Sequence, residues 1–536
     1  MSYRDARLLH GEEIDVDVAV VGAGAAGIAL AMEFAGDHAR VALIESGDFT
    51  HRHTTQFLYL GENVGRRNHS TAFSRFRRFG GSTTRWGGQC RPLDPVDFED
   101  RAGIDDSGWP ISHAQLEPYY RRAYRFCKLC SCDFAPAGWL ESFGGALRVS
   151  SDLLQTRIYQ FSHPTDLGQA YRESLRSAGN IDVYLNANLV EILTDPDARR
   201  VTGLVLASLN RAKLTVRARH YVLACGGIEN ARLLLASTGV RPSGLGNDHD
   251  LVGRYFMDHP YFFPGFYQPA HPGLDKSLYV IEGYEQVGSR QKVHAAISLS
   301  DRLLQQERLN GASVYLLRRP RYKAVAAYAS TGGGALNNLL DVLRHREHPD
   351  GRVGQDLRDL VRDLTNAGRT AWDRVRGVLQ RDDVLALRVV LETTPCRDSR
   401  VTLGPRRDWF GMPRVRIDWR VNEADKRGYE RLMAVLRSEL PRLGLGHLVE
   451  HGTYDADGWP RSMAGGKHHM GTTRMHVDPA HGVVDADCRV HGMDNLHVAG
   501  SSVFPTGGYA NPTFTIAALA LRLADKLKDR LNHPAA

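Results

Sequence analysis

The chain has 536 residues, 42% of them hydrophobic and 24% charged, which is typical of a globular protein with more than one layered core. Its 68 basic and 61 acidic residues leave a formal charge of +7, a mild excess that argues against a nucleic-acid partner. The odd number of cysteines, 7, argues against a secreted disulfide scaffold.

The most apolar window, from Val18 to Met32, is too short and too rich in glycine for a membrane span. Acidic rather than basic residues precede it, unlike the start of a signal peptide. The sequence therefore predicts a cytoplasmic protein with no signal peptide and no stable membrane insertion.

A nucleotide-binding pattern lies within this window. A β-branched run from Val16 predicts a buried parallel strand, and the glycine-rich stretch GAGAAG follows before a helical segment. Such glycines allow a tight turn, close approach to a pyrophosphate and packing of helix on strand. A second apolar run ends in an acid placed to bind ribose hydroxyls. We expect a dinucleotide on Gly22, Gly24, Ala26, Gly27 and Glu45, with NAD and FAD both open.

A second glycine-rich loop, FGGSTTRWGGQC, runs from Phe79 to Cys90. Two glycine pairs let the backbone lie against a flat ring, and a tryptophan among glycines is costly to expose. The loop is therefore expected to face the cofactor through Gly80, Gly81, Ser82, Thr83, Trp86, Gly87 and Gly88.

The segment CKLCSC contains Cys127, Cys130 and Cys132 at a spacing seen in metal sites. No second cysteine or histidine pair nearby completes four ligands, so we expect thiols beside a helix and no metal.

Three further segments give weaker signals. Ala218 to Ser237 runs from a strand through a glycine pair into a helix, as if returning to the nucleotide sheet. The run before it places Val190 where it would lie beside an adenine. Leu336 to Arg381, rich in Arg, Asp and Leu, predicts surface helices.

The C-terminal region holds the candidate catalytic residues. Two adjacent histidines, His468 and His469, sit in the glycine-rich stretch GGKHHMGTTRM. Further on, Asn511 and Pro512 precede the last helix, and these residue types favour an Asn cap followed by Pro as first helical residue. The same helix N-terminus would stabilise negative charge on a reduced flavin.

Taken in order, GAGAAG, GGSTTRWGG, GRYFMDHP, HHMGTTRM and GGYANPT resemble motifs of the glucose-methanol-choline (GMC) family of flavoprotein oxidoreductases. The resemblance spans nearly the whole chain, although Tyr267 to Leu391 shows none of these motifs. It implies FAD as the cofactor. Some relatives attach FAD through a histidine in the second motif, where this chain has Arg85, so non-covalent binding is expected.

The resemblance also assigns site residues. It implies that His468 and Asn511 face the flavin, with His469 pointing elsewhere. A His and Asn pair is more similar to the pyranose oxidase and choline oxidase branches than to glucose oxidase, which has two histidines. Cofactor contacts are further expected from Gly500, Pro512 and Thr513.

The implied fold is α/β, with a Rossmann-like FAD-binding domain and an interleaved α+β substrate domain built on an antiparallel sheet. The FAD-binding domain is expected over 12–90, 180–260 and 456–532, and the substrate domain over 91–179 and 261–455. Ser399 to Trp419 looks like part of the substrate-domain sheet.

The implied reaction is oxidation of a hydroxyl of a sugar, aminosugar, cyclitol or polyol to a carbonyl, with His468 as base and hydride passing to FAD. The electron acceptor, whether oxygen, a quinone or another carrier, stays open. Three alternatives also stay open: a lyase of the same family that uses FAD structurally, an NAD-dependent dehydrogenase, and an FAD-binding structural or partner protein with no turnover.

Overall fold

A computed structural model describes residues 3–66, 68–143, 147–162, 166–281, 293–318, 357–358, 361, 385–450 and 454–533. The segment expected to form surface helices, Leu336 to Arg381, lies almost entirely outside these residues.

Twenty strands are described. In chain order they are β1 (Tyr3–Asp5), β2 (Glu13–Val21), β3 (Val41–Ile44), β4 (Glu62–Asn63), β5 (Gln89–Cys90), β6 (Leu154–Phe161), β7 (Ile181–Leu185), β8 (Asn188–Thr194), β9 (Val201–Ala207), β10 (Lys213–Leu223), β11 (Pro260–Pro269), β12 (Val280–Ile281), β13 (Val293–Leu299), β14 (Ala312–Arg318), β15 (Leu385–Leu391), β16 (Arg400–Arg407), β17 (Pro413–Asp418), β18 (Gly446–Glu450), β19 (Ala464–Gly465) and β20 (Leu496–Val498).

The described α-helices are α1 (Ala25–Glu33), α2 (His53–Gln56), α3 (His113–Phe126), α4 (Pro136–Ser142), α5 (Leu167–Ser177), α6 (Gly226–Ala236), α7 (Asp301–Glu307), α8 (Glu423–Arg442) and α9 (Thr513–Asn532). Within the described ranges, none of the helices combines the length and the apolar character needed to cross a membrane.

The first sheet has eight strands in the order β1-β7-β3-β2-β10-β9-β8, with β20 paired to β10. Its centre is parallel: β2 pairs with β3 on one side and with β10 on the other. The buried apolar residues of β2 and β3 suit strands covered on both faces, and α1, α5 and α9 contribute to the same hydrophobic core. This is the Rossmann-like layer that the glycine-rich N-terminus predicts.

The second sheet has nine strands, with the path β18-β11-β15-β14-β13-β6-β5. Neighbours along this path are antiparallel, as β11 with β15 and β13 with β6 illustrate. Helix α8 packs its apolar face on this sheet and closes a separate core. The expected antiparallel sheet is therefore present.

The segment Ser399 to Trp419 departs from expectation. Strands β16 and β17 pair with each other and with β4 in a small three-stranded sheet of their own. Val401, Val415 and Trp419 pack with Ile228 of α6. The prediction that this segment joins the large substrate-domain sheet is wrong, because its strands pair with β4 instead and its buried side chains form a small core of their own with α6.

The domain boundaries stay a prediction, and packing bears on two of them. Helices α3 and α5, expected in the substrate domain, bury Leu116, Tyr120 and Tyr171 in the core of the first sheet. Strand β5, expected in the FAD-binding domain, pairs with β6 of the second sheet. The chain crosses between the first and the second sheet at these elements.

Candidate active site

The first glycine-rich turn is shaped by backbone contacts. Gly22 has φ +106, and a Cβ there would lie 2.6 Å from the Ala224 carbonyl oxygen. A Cβ on Gly27 would collide with the Gly22 carbonyl. Gly24 precedes α1 directly and leaves the start of that helix open. The turn therefore has the close packing of a dinucleotide-binding fingerprint, with helix N–H groups available to a pyrophosphate.

The second glycine-rich loop rests on the first. The Gly80 N–H donates to the Ala23 carbonyl at 2.8 Å. Gly81 has φ +54, and a Cβ there would lie 2.9 Å from Cα of Gly24. The two loops thus form one cradle whose walls are backbone, which fits a flat, extended cofactor.

Glu45 is buried at the end of β3 and closes this cradle. Its Oε2 accepts the Ala23 N–H at 3.0 Å, and its Oε1 accepts the Gly47 N–H at 2.8 Å. Each carboxylate oxygen retains lone-pair capacity for a further donor such as a ribose hydroxyl. The acid therefore orders the glycine turn as well as occupying the expected ribose-binding position.

The remaining predicted cofactor residues differ in burial. Thr83 is buried and its hydroxyl donates to the Gly80 carbonyl at 2.6 Å, whereas Ser82 is exposed. Gly500 has φ +118 with open space where a Cβ would stand. The structure places the others as follows: Ala26 in α1, Val190 in β8, Thr513 at the start of α9 with Pro512 directly before it, and Trp86, Gly87 and Gly88 in the second glycine-rich loop.

His468 meets a second histidine that the sequence did not single out. The Nδ1 atoms of His468 and His259 lie 2.9 Å apart. The ring of Tyr261 stands edge-on to His468 with centroids 5.7 Å apart. Burial lowers the pKa of His468 well below its ordinary value, with smaller contributions from His259, His469 and Arg388. His468 is therefore neutral, as a proton acceptor must be, although its pKa is lower than the near-neutral value expected of a base.

Asp258, next to His259, holds the turn that carries His468. Its Oδ1 accepts the N–H groups of Gly466 at 3.0 Å and His468 at 2.8 Å, and its Oδ2 accepts that of Lys467 at 3.3 Å. The side-chain amide of Asn68 donates to Oδ2 at 3.3 Å. Both Asp258 and His259 belong to the motif GRYFMDHP, which was the available signal for them in the sequence.

The rings of His468 and His469 diverge. His469 stacks on Phe256 at a centroid distance of 5.8 Å, and its carbonyl accepts the Ser501 hydroxyl at 2.7 Å. Burial lowers the pKa of His469 to about 3. His469 thus packs against α6. Its backbone lies where a Cβ on Gly227 would stand, so only glycine fits at that position of the helix.

Asn511 differs from expectation in one respect. Helix α9 begins at Thr513 with Pro512 as its cap residue, and no side chain makes a capping hydrogen bond. Pro512 has helical angles, φ −71 and ψ −18, so Asn511 stands where a cap would, but the prediction that its side chain caps this helix is wrong, because it makes no hydrogen bond to the helix. Instead, Oδ1 of Asn511 is buried without a hydrogen-bond partner. An orphaned buried amide oxygen at this place fits a site that a cofactor or substrate completes.

The loop before Asn511 contacts Met470 and His259 and is also bonded to β6 of the second sheet. A Cβ on Gly507 would lie 2.7 Å from Cε of Met470 and 3.5 Å from Nε2 of His259. The Tyr509 hydroxyl donates to Asp94 at 2.7 Å and accepts from Nε of Arg157, on β6, at 2.9 Å. The loop is thereby placed beside His259.

The cysteine cluster is dispersed. Cys127 is buried at the end of α3, while Cys130 and Cys132 are exposed. In the described ranges, no group of three or more His, Cys, Asp or Glu is arranged to hold a metal ion.

Comparisons with known families agree with this geometry. A model described as GMC oxidoreductase matches residues 167–261, and a second of the same description matches residues 395–520. A model described as FAD binding domain matches residues 17–57, the glycine turn and Glu45. This match decides between the two nucleotides in favour of FAD.

Individual relatives point the same way. Paromamine 6'-oxidase from Streptomyces fradiae is 28% identical over 488 residues, 83% of this chain and 77% of that protein. Pyranose 2-oxidase from Tricholoma matsutake is 34% identical over 154 residues, 26% of each chain. The crystal structure of pyridoxine 4-oxidase from Mesorbium loti has a TM-score of 0.53 at 17% identity, over 96% of this chain and 99% of that one, and establishes the shared fold. The oxidase names favour oxidation over the lyase alternative.

Proposed function

The chain belongs to the GMC oxidoreductase family and is an FAD-dependent enzyme acting on CH–OH groups, and from that premise we propose that it oxidises a hydroxyl of a sugar, an aminosugar, or a cyclitol or other polyol to a carbonyl. The observation that carries the proposal is His468, a half-buried neutral imidazole held beside His259 on a turn that Asp258 anchors.

In this proposal FAD is bound without a covalent link. The backbone of the two glycine-rich loops would hold the pyrophosphate, Glu45 would accept from the ribose, and Asn511 would contact the substrate. When bound, the flavin supplies the hydride acceptor. Arg85 stands where some relatives carry an attaching histidine, and a guanidinium does not form that bond. Acid precipitation tests this point: free FAD should appear in the supernatant, and flavin that stays with the pellet would contradict it.

His468 is proposed to take the proton of the substrate hydroxyl. Negative charge grows on that oxygen as its carbon is oxidised, so a neutral imidazole within hydrogen-bond reach lowers the barrier. Asn511 is proposed to orient the same oxygen through its side-chain amide. Its unsatisfied Oδ1 supports a role in which substrate or cofactor supplies the missing partner.

The substrate class rests on the relatives. Paromamine is an aminosugar-containing compound by the name of its oxidase, and pyranose 2-oxidase acts on a sugar by its own. We propose a substrate of this polar, polyhydroxylated kind. The electron acceptor is proposed to be oxygen, a quinone or another carrier, which oxygen consumption and dye reduction would distinguish.

A cytoplasmic location is proposed as well. All seven cysteines are free thiols, which suits a reducing compartment. Fractionation of cells would test it, and recovery outside the cytoplasm would contradict it.

The central test is anaerobic flavin bleaching. The purified yellow protein is mixed without oxygen with a panel of sugars, aminosugars and cyclitols, and the absorbance near the flavin maximum is followed. Loss of colour with one class identifies the substrate. Product formation with no bleaching would favour the lyase reaction, and turnover by flavin-free protein with NAD would favour the nicotinamide alternative.

A further inference from the structure

The turn from Gly465 to His468 has a conformation that its residues do not favour alone. Lys467 has φ +64, in the left-handed region where a residue with a Cβ is strained. Gly465 and Gly466 lack the Cβ that would collide with Asn68 and Asp258 or crowd the Tyr261 ring. The turn therefore requires an outside partner to hold it.

Asp258 is that partner. Its buried carboxylate receives three successive backbone N–H groups, those of Gly466, Lys467 and His468. Consecutive amides that converge in this way form a nest for an anion. Removing the carboxylate would leave three part-buried N–H groups of a strained turn without their acceptors.

A second backbone contact also holds this turn in place. Met257 and Met470 form a backbone bridge, with N–H to carbonyl distances of 3.0 Å and 2.9 Å. Met257 and Asp258 directly precede His259, while His468 is part of the nest and lies two residues before Met470. The two segments that carry the imidazoles are thus joined by backbone contacts close to both rings.

Asp258 acts on the backbone rather than on the rings. Its oxygens bond main-chain N–H groups and the Asn68 amide. Its hydrogen bonds therefore reach His468 through the backbone of the turn and not through the imidazole.

We propose that Asp258 is a positioning residue, which holds the turn from Gly465 to His468 so that the His468 ring stays beside His259 and in reach of the substrate hydroxyl. This inference rests on the proposed function for its catalytic consequence. The dependence of the turn on Asp258 can be measured without turnover.

The experiment compares wild-type holoenzyme with Asp258→Asn. The amide keeps one acceptor oxygen but replaces the other with a donor that faces the Lys467 N–H. Hydrogen–deuterium exchange should rise in peptides covering 465–470. The limiting rate of flavin reduction by the substrate found in the bleaching screen should fall on the order of 10²-fold, the cost typical of a misplaced catalytic group, with little change in substrate affinity.

Asp425→Asn is the matched control. Asp425 is equally buried, accepts the Thr394 N–H at 2.7 Å and the Asn310 amide at 2.9 Å, and burial raises the pKa of both Asp425 and Asp258 to about 6. Its loss should destabilise the start of α8 and leave both the exchange of 465–470 and the reduction rate unchanged.

A double variant tests the strain argument. Glycine adopts φ +64 without cost, so Lys467→Gly in the Asp258→Asn background should restore part of the lost rate.

If Asp258→Asn does not fold, Asn68→Ala replaces it, since it removes one support of the carboxylate, and a smaller rise in exchange over 465–470 is expected. Unchanged exchange over 465–470 in the variant that folds would overturn the proposal. A wild-type protein that no substrate bleaches would refute the proposed function, and the exchange measurement alone would then decide whether Asp258 holds the turn.

Discussion

The Nδ1 atoms of His259 and His468 lie 2.9 Å apart, so one ring must donate a hydrogen bond to the other. The tautomer of one imidazole therefore dictates that of its partner. For His468 to present a lone pair on Nε2, its own Nδ1 must carry the hydrogen and His259 must accept it. ¹⁵N spectra of histidine-labelled protein should show this tautomer for His468, and a protonated Nε2 on neutral His468 would contradict its role as base.

Replacement of His468 should separate chemistry from cofactor binding. His468→Ala removes the proposed base and leaves the glycine cradle intact, so FAD should remain bound while flavin reduction slows by about 10²–10⁴-fold. Stopped-flow absorbance measures the rate. His469→Ala is the control, because its ring stacks on Phe256 away from His259. Equal damage from both substitutions would mean that the wrong histidine has been assigned.

Asn511 can be tested without disturbing a helix cap. Because its side chain makes no capping bond to α9, Asn511→Ala should change the unfolding free energy little. Flavin reduction should nevertheless slow, since a substrate-orienting amide is lost. Asn511→Asp should slow reduction as well, because it places negative charge where negative charge develops. Wild-type reduction rates in Asn511→Asp would rule out the assigned role.

Glu45 should contribute to FAD affinity. Glu45→Gln replaces one carboxylate oxygen with an amide and removes a charged acceptor, which is expected to cost about 1.5–3 kcal/mol of binding free energy. Fluorescence titration of apoprotein with FAD provides the measurement. Glu13→Gln, an exposed acid at the opposite end of β2, should bind FAD normally. Full affinity in Glu45→Gln would show that the ribose is held elsewhere.

Acid should destabilise the protein through histidines that are buried in the neutral form. Burial lowers the pKa of His220 from 6.5 to about 4, mainly by desolvation. Between these values the unfolded chain binds a proton that the folded chain does not, so stability falls as pH decreases, by at most about 1.4 kcal/mol per pH unit for one group.

His220→Phe isolates this effect. Nδ1 of His220 is buried without a hydrogen-bond partner, so phenylalanine gives up no bond there. Urea unfolding at pH 7 and pH 5 should show a smaller loss of stability on acidification in the variant than in the wild type. Parallel losses would mean that His220 titrates normally.

The sequence predicted those parts of the fold that a local pattern of residues determines. The strand, glycine turn, helix and Glu45 follow one another within a short stretch, and their spacing alone indicates the nucleotide fold. The sequence did not assign a role to Asp258 or His259, because their partners are 208 to 210 residues away in the chain. The cap at α9 was wrongly predicted because residue type favours a cap, whereas the orientation of the Asn511 side chain, which makes no hydrogen bond to the helix, decides it.

Tyr509 connects the loop that carries Asn511 with the second sheet. Its loop continues into α9 of the nucleotide layer, yet its hydroxyl is bonded to Asp94 and Arg157, which stand with the second sheet. Redesign of the residues around β6 is therefore expected to shift the loop that carries Asn511 as well. If Asn511 acts as proposed, such a redesign slows flavin reduction unless it keeps Tyr509 and both of its partners.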